Sequence, residues 1–109
     1  LFGKKFGVLG ISFKSDSDDL RNSPSVKLVE LLKASGAIIK IHDPFIRDTL
    51  SLSEVLESSD IIIIATNHSK FKDIKKEIQN SKPKLIYDVW SLYNKDDFGS
   101  SKYLKLGMS

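Results

Sequence analysis

The sequence of 109 residues contains no cysteine, one tryptophan and one methionine. Without cysteine, disulfide bonds, thiolate metal sites and a cysteine nucleophile are excluded within this chain. No apolar run approaches the length of a membrane-spanning helix, and we recognise no signal peptide. We therefore expect a cytoplasmic location and no membrane partner. The sequence begins at Leu1 rather than at methionine, so we expect a piece of a longer polypeptide.

The charge balance is nearly even, with 17 Lys and Arg against 14 Asp and Glu and a net charge of +3. Much of the excess lies between Lys70 and Lys84. A modest spread of lysines is typical of a solvated surface, so we expect no nucleic-acid partner. The length is that of one domain with a hydrophobic core.

Apolar stretches with strand character alternate with stretches of helical spacing. The pattern predicts strands near residues 5–9, 37–42, 60–66, 84–89 and 103–106, and helices that begin near residues 23, 51 and 69. The run Ile61–Ile64 has no polar alternation, which is typical of a parallel strand covered on both faces. The order predicts a doubly wound, mostly parallel, Rossmann-like three-layer α/β sandwich in a single domain.

Local signals define two of the helices. Ser23 and Pro24 are suited to the N-cap and first position of a helix, and Gly36 to the residue that follows its end. The apolar stripe of this helix is predicted to comprise Val26, Leu28, Val29, Leu31 and Leu32. Ser51 and Glu54 have the spacing of a capping box. We expect a third helix over residues 69–79, and an irregular, mobile loop at residues 94–101.

A ligand of such a sheet binds outside the carboxyl ends of the strands. Four segments are predicted to meet there: residues 10–22, 42–45, 66–69 and 88–90. The dinucleotide fingerprint G-x-G-x-x-G is absent, so we interpret Gly10 as the residue that lets the chain turn at the end of the first strand.

Two cations follow the first strand. Lys14 could neutralise a phosphate as a point charge, or it could be an exposed lysine of a polar loop. Arg21 could bind a phosphate through two hydrogen bonds, or it could form a salt bridge with Asp18 or Asp19. The two interpretations are compatible with each other. We expect the aspartates of this loop to orient the two cations or to face solvent. A metal site is not expected, because the spacing of the carboxylates fits no known loop motif.

The other three segments leave alternatives open. Asp43 could bind a ribose hydroxyl or form a turn with Pro44. His68 could be a general base, but a capping or surface role is also compatible. Trp90 could stack on a base or fill a core or interface. No complete catalytic set is recognisable, so the residues alone indicate a ligand-binding domain without its own chemistry.

Three stretches in order resemble the C-terminal domain of the UDP-glucose/GDP-mannose dehydrogenase family: LGISFKSDSDDLRNSP, ELLKASGAIIKIHDPF and SSDIIIIATNHSKFK. Members are NAD-dependent enzymes that oxidise C6 of a nucleotide sugar to a carboxylate. The resemblance implies that residues 1–109 are the nucleotide-sugar (UDP)-binding domain. An N-terminal Rossmann domain would bind NAD, and a central helical domain would carry the catalytic cysteine and form a dimer. Alone, this chain would be catalytically silent.

The resemblance also implies roles for individual residues. Phe13 and Lys14 match a pair that contacts the nucleotide sugar, and Arg21 matches an arginine that reaches toward NAD. Many members have Asp-x-Arg where this chain reads Asp88-Val89-Trp90, which leaves the sugar and the base open. The implied substrate is of the UDP-glucose or UDP-N-acetylhexosamine type. In this family the oxidised nucleotide sugar is usually a precursor for polysaccharide biosynthesis.

Two other classes of protein share the alternating pattern of strands and helices. A stand-alone nucleotide-binding or regulatory α/β module would have similar local signals but no attached enzyme. A receiver-like signalling domain would need an aspartate at the end of the third strand, where Ile64, Ala65 and Thr66 stand instead. The first alternative therefore remains, and the second does not.

Overall fold

The computed structural model describes residues 2–12, 16–21 and 23–105. In this part of the chain five strands alternate with three α-helices and two short 3₁₀-helices. The strands are β1 (Lys5–Leu9), β2 (Ile38–His42), β3 (Ile61–Ile64), β4 (Leu85–Asp88) and β5 (Lys102–Lys105). The α-helices are α1 (Pro24–Ala34), α2 (Leu52–Ser58) and α3 (Lys75–Ser81), and the 3₁₀-helices span Ser69–Asp73 and Lys95–Phe98.

The five strands form one parallel sheet in the order β2-β1-β3-β4-β5. Val8 on β1 lies opposite Ile41 on β2 and Ile63 on β3, so β1 is paired on both sides. From β1 the chain moves outward to β2, and then returns across β1 to β3. The direction of the winding therefore reverses between β1 and β3, which is the switch point of this fold. The predicted doubly wound parallel α/β class is confirmed.

Apolar side chains on the two sheet faces explain the three layers. On one face, α2 and α3 bury Val55 and Ile78 against Ile62 of β3 and Ile86 of β4. On the other face, α1 buries Leu32 against Phe6 and Ile63. Successive strand residues point to opposite faces, so β3 contributes to both cores and its uniformly apolar sequence follows from that position.

Helix α1 begins and ends where the sequence predicts. Pro24 occupies its first turn, and Gly36, at φ +89°, follows its C-cap. The amide of Gly36 donates to the Lys33 carbonyl and that of Ala37 to the Leu32 carbonyl, which together form a Schellman motif. The predicted burial of Leu31 is wrong, since its side chain is 70% exposed.

Helix α2 has the predicted capping box: the amide of Glu54 donates to Ser51 Oγ, and the amide of Ser51 donates to the Glu54 carboxylate. The third helix differs from the prediction. Its first part is the 3₁₀-helix Ser69–Asp73, and α3 starts only at Lys75. The amide of Ile74 donates to Tyr93 Oη instead of continuing one helix.

The predicted irregular loop at 94–101 contains a 3₁₀-helix instead. Phe98, its last residue, is buried and packs its ring against those of Tyr93 and Tyr103. The packing of Phe98 thus fixes this connection against the rest of the core. Among the described residues, no helix has the length and apolar character that crossing a membrane requires.

Candidate functional site at the carboxyl edge of the sheet

The connections that follow β1, β2 and β3 meet at the switch point. They are joined by side chains that are far apart in sequence: Thr66 Oγ1 donates to the Ser12 carbonyl at 3.2 Å, and the Ser25 hydroxyl donates to the Ala65 carbonyl at 3.1 Å. Ser12, Ser25 and Thr66 are all buried. The carboxyl edge therefore presents one connected surface, built on a rigid parallel sheet.

Gly10 lets the three connections approach one another. Its φ of +93° is left-handed, and a Cβ placed on it would lie 2.4 Å from the Cβ of Thr66 and 3.0 Å from the ring of Phe71. Both the backbone conformation and the space require glycine. The prediction that Gly10 turns the chain at the end of β1 is confirmed.

Asp43, at the end of β2, holds the start of the β1 connection. Its Oδ2 accepts from the amides of Ile11 at 2.8 Å and Ser12 at 3.3 Å, and its Oδ1 accepts from the amide of Phe45 at 2.9 Å. The last bond forms a turn, which was one of the two interpretations. Only 2% of the surface of Asp43 is exposed, and its carboxylate oxygens accept hydrogen bonds from interior amides. This geometry does not support contact between Asp43 and a ribose.

His68 lies beside Asp43, and its side chain has no exposed area. Nε2 is 3.0 Å from Asp43 Oδ2 and 3.1 Å from Ser12 Oγ, while the amide of Asp16 donates to Nδ1 at 2.7 Å. The expected capping or surface role is wrong: the residue makes no side-chain cap to the following 3₁₀-helix. A buried ring with both nitrogens engaged is also not placed to act as a general base on a ligand.

Asp16 forms the outer part of the same network. Its carboxylate accepts from the amide of Ser69 at 2.7 Å and from the Ser69 hydroxyl at 2.6 Å. These hydrogen bonds lower the pKa of the Asp16 carboxyl below its usual value. Asp16 thus ties the β1 connection to the start of the Ser69–Asp73 helix.

Arg21 forms an ion pair with Asp19. Its Nε and Nη2 lie 3.1 Å from the two carboxylate oxygens, and its side chain is 88% exposed. The hydrogen bonds from Arg21 to Asp19, together with the nearby negative charge, raise the pKa of the guanidinium. Of the two predicted partners, Asp19 is therefore the one used. The pair leaves the guanidinium at the surface of the carboxyl edge.

Phe13 and Lys14, the predicted nucleotide-sugar contacts, lie outside the described residues. The nearest described residues on either side are Ser12 and Asp16, and both contact His68. The predicted pair is therefore enclosed in sequence by two residues that are anchored at the switch point.

The start of α1 also reaches this edge. The Ser23 hydroxyl donates to the Ile11 carbonyl at 2.6 Å and makes no side-chain cap to the first turn. No acidic residue occupies that turn. The amides of Ser25 and Val26 therefore lack a side-chain cap from Ser23, and the first amides of a helix attract anions.

At the end of β4, Trp90 is half-exposed and its indole Nε1 donates to the Ala65 carbonyl at 3.1 Å. Of the three interpretations of Trp90, filling a core is wrong, whereas stacking on a base and covering an interface stay predictions. Asp88, two residues before it, is fully buried and accepts from the amide of Tyr93 at 2.9 Å and the hydroxyl of Tyr103 at 2.6 Å. Within the described ranges, no three potential metal ligands come together.

Comparison with known families is decisive at this point. The sequence profile of the UDP-glucose/GDP-mannose dehydrogenase family, UDP binding domain, matches residues 7–95. The chain belongs to this family. The match runs from β1 through β4, so it includes every connection that meets at the switch point.

Individual family members agree with this assignment. The UDP-N-acetyl-D-mannosamine dehydrogenase of Pyrococcus horikoshii is 40% identical over 84 residues, 74% of this chain and 20% of that protein. The enzyme of the same name from Methanocaldococcus jannaschii is 34% identical over 101 residues, 84% of this chain and 24% of that protein. The solved structure of UDP-D-ManNAc dehydrogenase from P. horikoshii superposes with a TM-score of 0.85 at 33% identity, over 96% of this chain and 26% of that chain. This chain thus spans about a fifth to a quarter of such relatives.

Sequence reasoning missed the buried network of Ser12, Asp43 and His68. The only available signal was that Asp43 and His68 each follow a predicted strand. Because the carboxyl ends of parallel strands share one edge, that placement could have suggested a polar pair.

Proposed function

We propose that this domain binds the nucleoside diphosphate of a nucleotide sugar at the carboxyl edge of its sheet. The observation that carries the proposal is the family match over residues 7–95. In support, the matched segment folds so that the β1 connection lies at the switch point, where open α/β sheets bind ligands. The start of α1, whose first amides receive no side-chain cap from Ser23, lies at the same edge, and the first amides of a helix attract anions.

Within this proposal, Lys14 neutralises the diphosphate and Phe13 contacts the nucleotide sugar. Arg21 contributes to the binding of NAD that is held by a neighbouring domain, and its side chain, which is 88% exposed, can reach that domain. Ion pairing with Asp19 orients the guanidinium without burying it. An NAD molecule would replace part of the solvent around Arg21.

We further propose that the domain belongs to a longer, three-domain enzyme. That enzyme would oxidise the C6 alcohol of a UDP-glucose or UDP-N-acetylhexosamine type substrate to a carboxylate, with NAD as hydride acceptor. An N-terminal domain would bind NAD, and a central domain would supply the cysteine nucleophile and the contacts of a cytoplasmic homodimer or larger oligomer. The binding energy of the remote nucleotide would hold the sugar C6 at the reacting centre.

Calorimetric titration of the 109-residue chain with UDP, GDP and NAD tests the binding role. We expect UDP to bind, and Lys14→Ala to weaken its binding by roughly ten-fold or more, because a charge-assisted contact is lost. Lys33→Ala is the matched control, since Lys33 lies in the last turn of α1, far from the carboxyl edge. If GDP binds more tightly than UDP, the base that the domain recognises is guanine rather than uracil. If none of the three ligands binds, the proposal is contradicted.

A second experiment addresses Arg21 and the longer enzyme. In a protein that contains this domain, Arg21→Ala is expected to raise the KM for NAD while the affinity for UDP stays near that of wild type. An unchanged KM would remove Arg21 from the cofactor site. A parent reading frame with neither G-x-G-x-x-G nor a cysteine would favour the stand-alone binding module.

A further inference from the structure

Trp90 lies in a turn that follows β4. The amide of Ser91 donates to the Asp88 carbonyl at 3.3 Å, which closes the turn with Trp90 as its third residue. The amide of Val89 donates to the Ile64 carbonyl at 3.2 Å and ties the turn to the last residue of β3. Ser91 has a φ of +54°, a left-handed conformation that is unfavourable for a residue with a Cβ. The backbone around Trp90 is therefore held beside the end of β3.

A hydrogen bond orients the indole of Trp90. Its Nε1 donates to the Ala65 carbonyl at 3.1 Å, and the Ser25 hydroxyl of α1 donates to the same carbonyl at 3.1 Å. Because two donors that share one acceptor are neighbours, the indole lies beside the first turn of α1. The N–H is the only polar group of a tryptophan side chain, and Trp90 is 49% exposed. The exposed part of the ring is therefore apolar and can contact a ligand by stacking.

This ring lies at the edge where the proposed function places the ligand. The amide of Ala65, which follows β3, donates to the Leu9 carbonyl at the end of β1 at 2.9 Å, so the indole is anchored at the switch point between these two strands. Tyr87 provides a contrast. Its ring is also exposed, but Tyr87 lies within β4, opposite Ile63 in the register of the sheet. The ring of Trp90 is thus exposed beyond the strand ends, and that of Tyr87 is not.

We propose that Trp90 stacks on the base of the bound nucleotide. The inference rests on the proposed function, because it presumes that a nucleotide binds at the carboxyl edge, and it deepens that function by naming the residue that contacts the base. Every nucleobase has a π-face, so stacking adds affinity without distinguishing uracil from guanine. Because the bond to Ala65 holds the indole in place before the ligand binds, little side-chain entropy is lost on binding.

The fluorescence of the wild-type chain tests the contact directly. The sequence has one tryptophan, so the indole emission of the 109-residue chain reports on Trp90 alone. UDP, GDP and inorganic pyrophosphate are added in separate titrations, each followed by emission and by calorimetry. We expect UDP and GDP to quench the emission with the same Kd that calorimetry gives, because a stacked base touches the excited ring. Pyrophosphate has no base and should leave the emission unchanged.

Substitutions measure what the contact contributes to affinity. Trp90→Phe keeps an aromatic face but loses the N–H that orients it, and Trp90→Leu loses both. We expect Trp90→Leu to weaken the binding of UDP and of GDP alike by roughly five-fold to 150-fold, and Trp90→Phe to weaken it less. Tyr87→Leu is the matched control, since it removes an exposed ring from the strand that precedes the turn. Its UDP affinity should stay within about two-fold of wild type.

The outcomes separate the inference from the proposed function. If UDP binds by calorimetry but leaves the emission unchanged, or if folded Trp90→Leu binds it as tightly as wild type, Trp90 covers another surface and the inference is overturned, whereas the proposed function stands. Equal losses in Tyr87→Leu and Trp90→Leu, equal quenching by pyrophosphate, or a loss for one base only would also overturn it. If wild type binds neither UDP nor GDP, the proposed function fails and the inference fails with it. Should Trp90→Leu not fold, the quenching of the wild type decides.

Discussion

A methyl group on Gly10 would meet Thr66: the two Cβ atoms would lie only 2.4 Å apart. The close approach arises because β1 and β3 are paired in parallel, with Leu9 opposite Ile64, so that the residues that follow the two strands emerge side by side. The lack of a side chain at residue 10 is thus a condition for the site, since Thr66 also donates to the Ser12 carbonyl.

Gly10→Ala is expected to destabilise the domain by about 2–5 kcal/mol, from the left-handed backbone and from the clash with Thr66. Gly3→Ala separates the two contributions, because Gly3 has a φ of +76° but no atom within 4 Å of the added Cβ. That variant should lose only about 1–2 kcal/mol. Urea unfolding of both measures the difference, and equal losses would refute the steric argument.

Asp43→Asn tests the buried carboxylate. The carboxylate accepts from three amides and faces His68 Nε2, whereas an asparagine side chain would turn an N–H toward one of these donors. Leaving a buried donor unsatisfied and removing charge-assisted bonds should lower the free energy of unfolding by about 2–4 kcal/mol. Asp48→Asn, at an exposed position of the same connection, serves as the control. A similar small effect of both changes would mean that the network contributes little to folding.

Tyr103 should make the stability depend on alkaline pH. Burial raises the pKa of its hydroxyl above the ordinary value of 10, and the hydrogen bond to Asp88 acts in the same direction. Below pH 10 both the folded and the unfolded protein hold this proton. Above it, only the unfolded state releases the proton readily, so stability falls as the pH rises, by at most about 1.4 kcal/mol per pH unit for this group.

In Tyr103→Phe we expect a shallower loss of stability between about pH 10 and pH 12. Part of the slope should remain, because burial also raises the pKa of Tyr93. Chemical denaturation across this range measures the slopes. Identical slopes for the variant and the wild type would show that Tyr103 does not hold its proton more tightly in the folded state.

Two neighbouring leucines of α1 provide a further test. Leu32 is buried against Phe6 and Ile63, whereas Leu31 is 70% exposed. Leu32→Ala should therefore cost about 2–5 kcal/mol and Leu31→Ala no more than about 0.5 kcal/mol. Thermal or urea unfolding of the two single variants distinguishes them. A large loss for Leu31→Ala would indicate that this surface is covered in solution.

The strands and the helix ends could be predicted because their signals are local. The residues that begin and end α1 are suited to those positions by their own backbone preferences, and the all-apolar run of β3 follows from burial on both faces. The burial of Leu31 was mispredicted because a hydrophobic stripe at helical spacing does not show how wide the underlying sheet surface is.

The network around His68 could not be predicted in the same way. Its partners Ser12, Asp16 and Asp43 are 25 to 56 residues distant in sequence, and they meet only because β2 and β3 flank β1. Similarly, the interruption before α3 depends on Tyr93, which accepts from the Ile74 amide across the fold. Polar contacts of this kind in the interior depend on the order of the strands in the sheet. A local sequence pattern does not contain that information.

The strand order has a consequence for folding. Of the four strand pairings, β1 with β3 joins the partners that are most distant in sequence, so its formation carries the largest loop-closure entropy of the four. Beyond β3, β4 and β5 extend the sheet in the order of the sequence, so these pairings are more local. Since Tyr103 lies on β5 and donates to the buried Asp88 of β4, β5 supplies part of the polar interior of its neighbour, and removal of β5 would leave the Asp88 carboxylate without this donor.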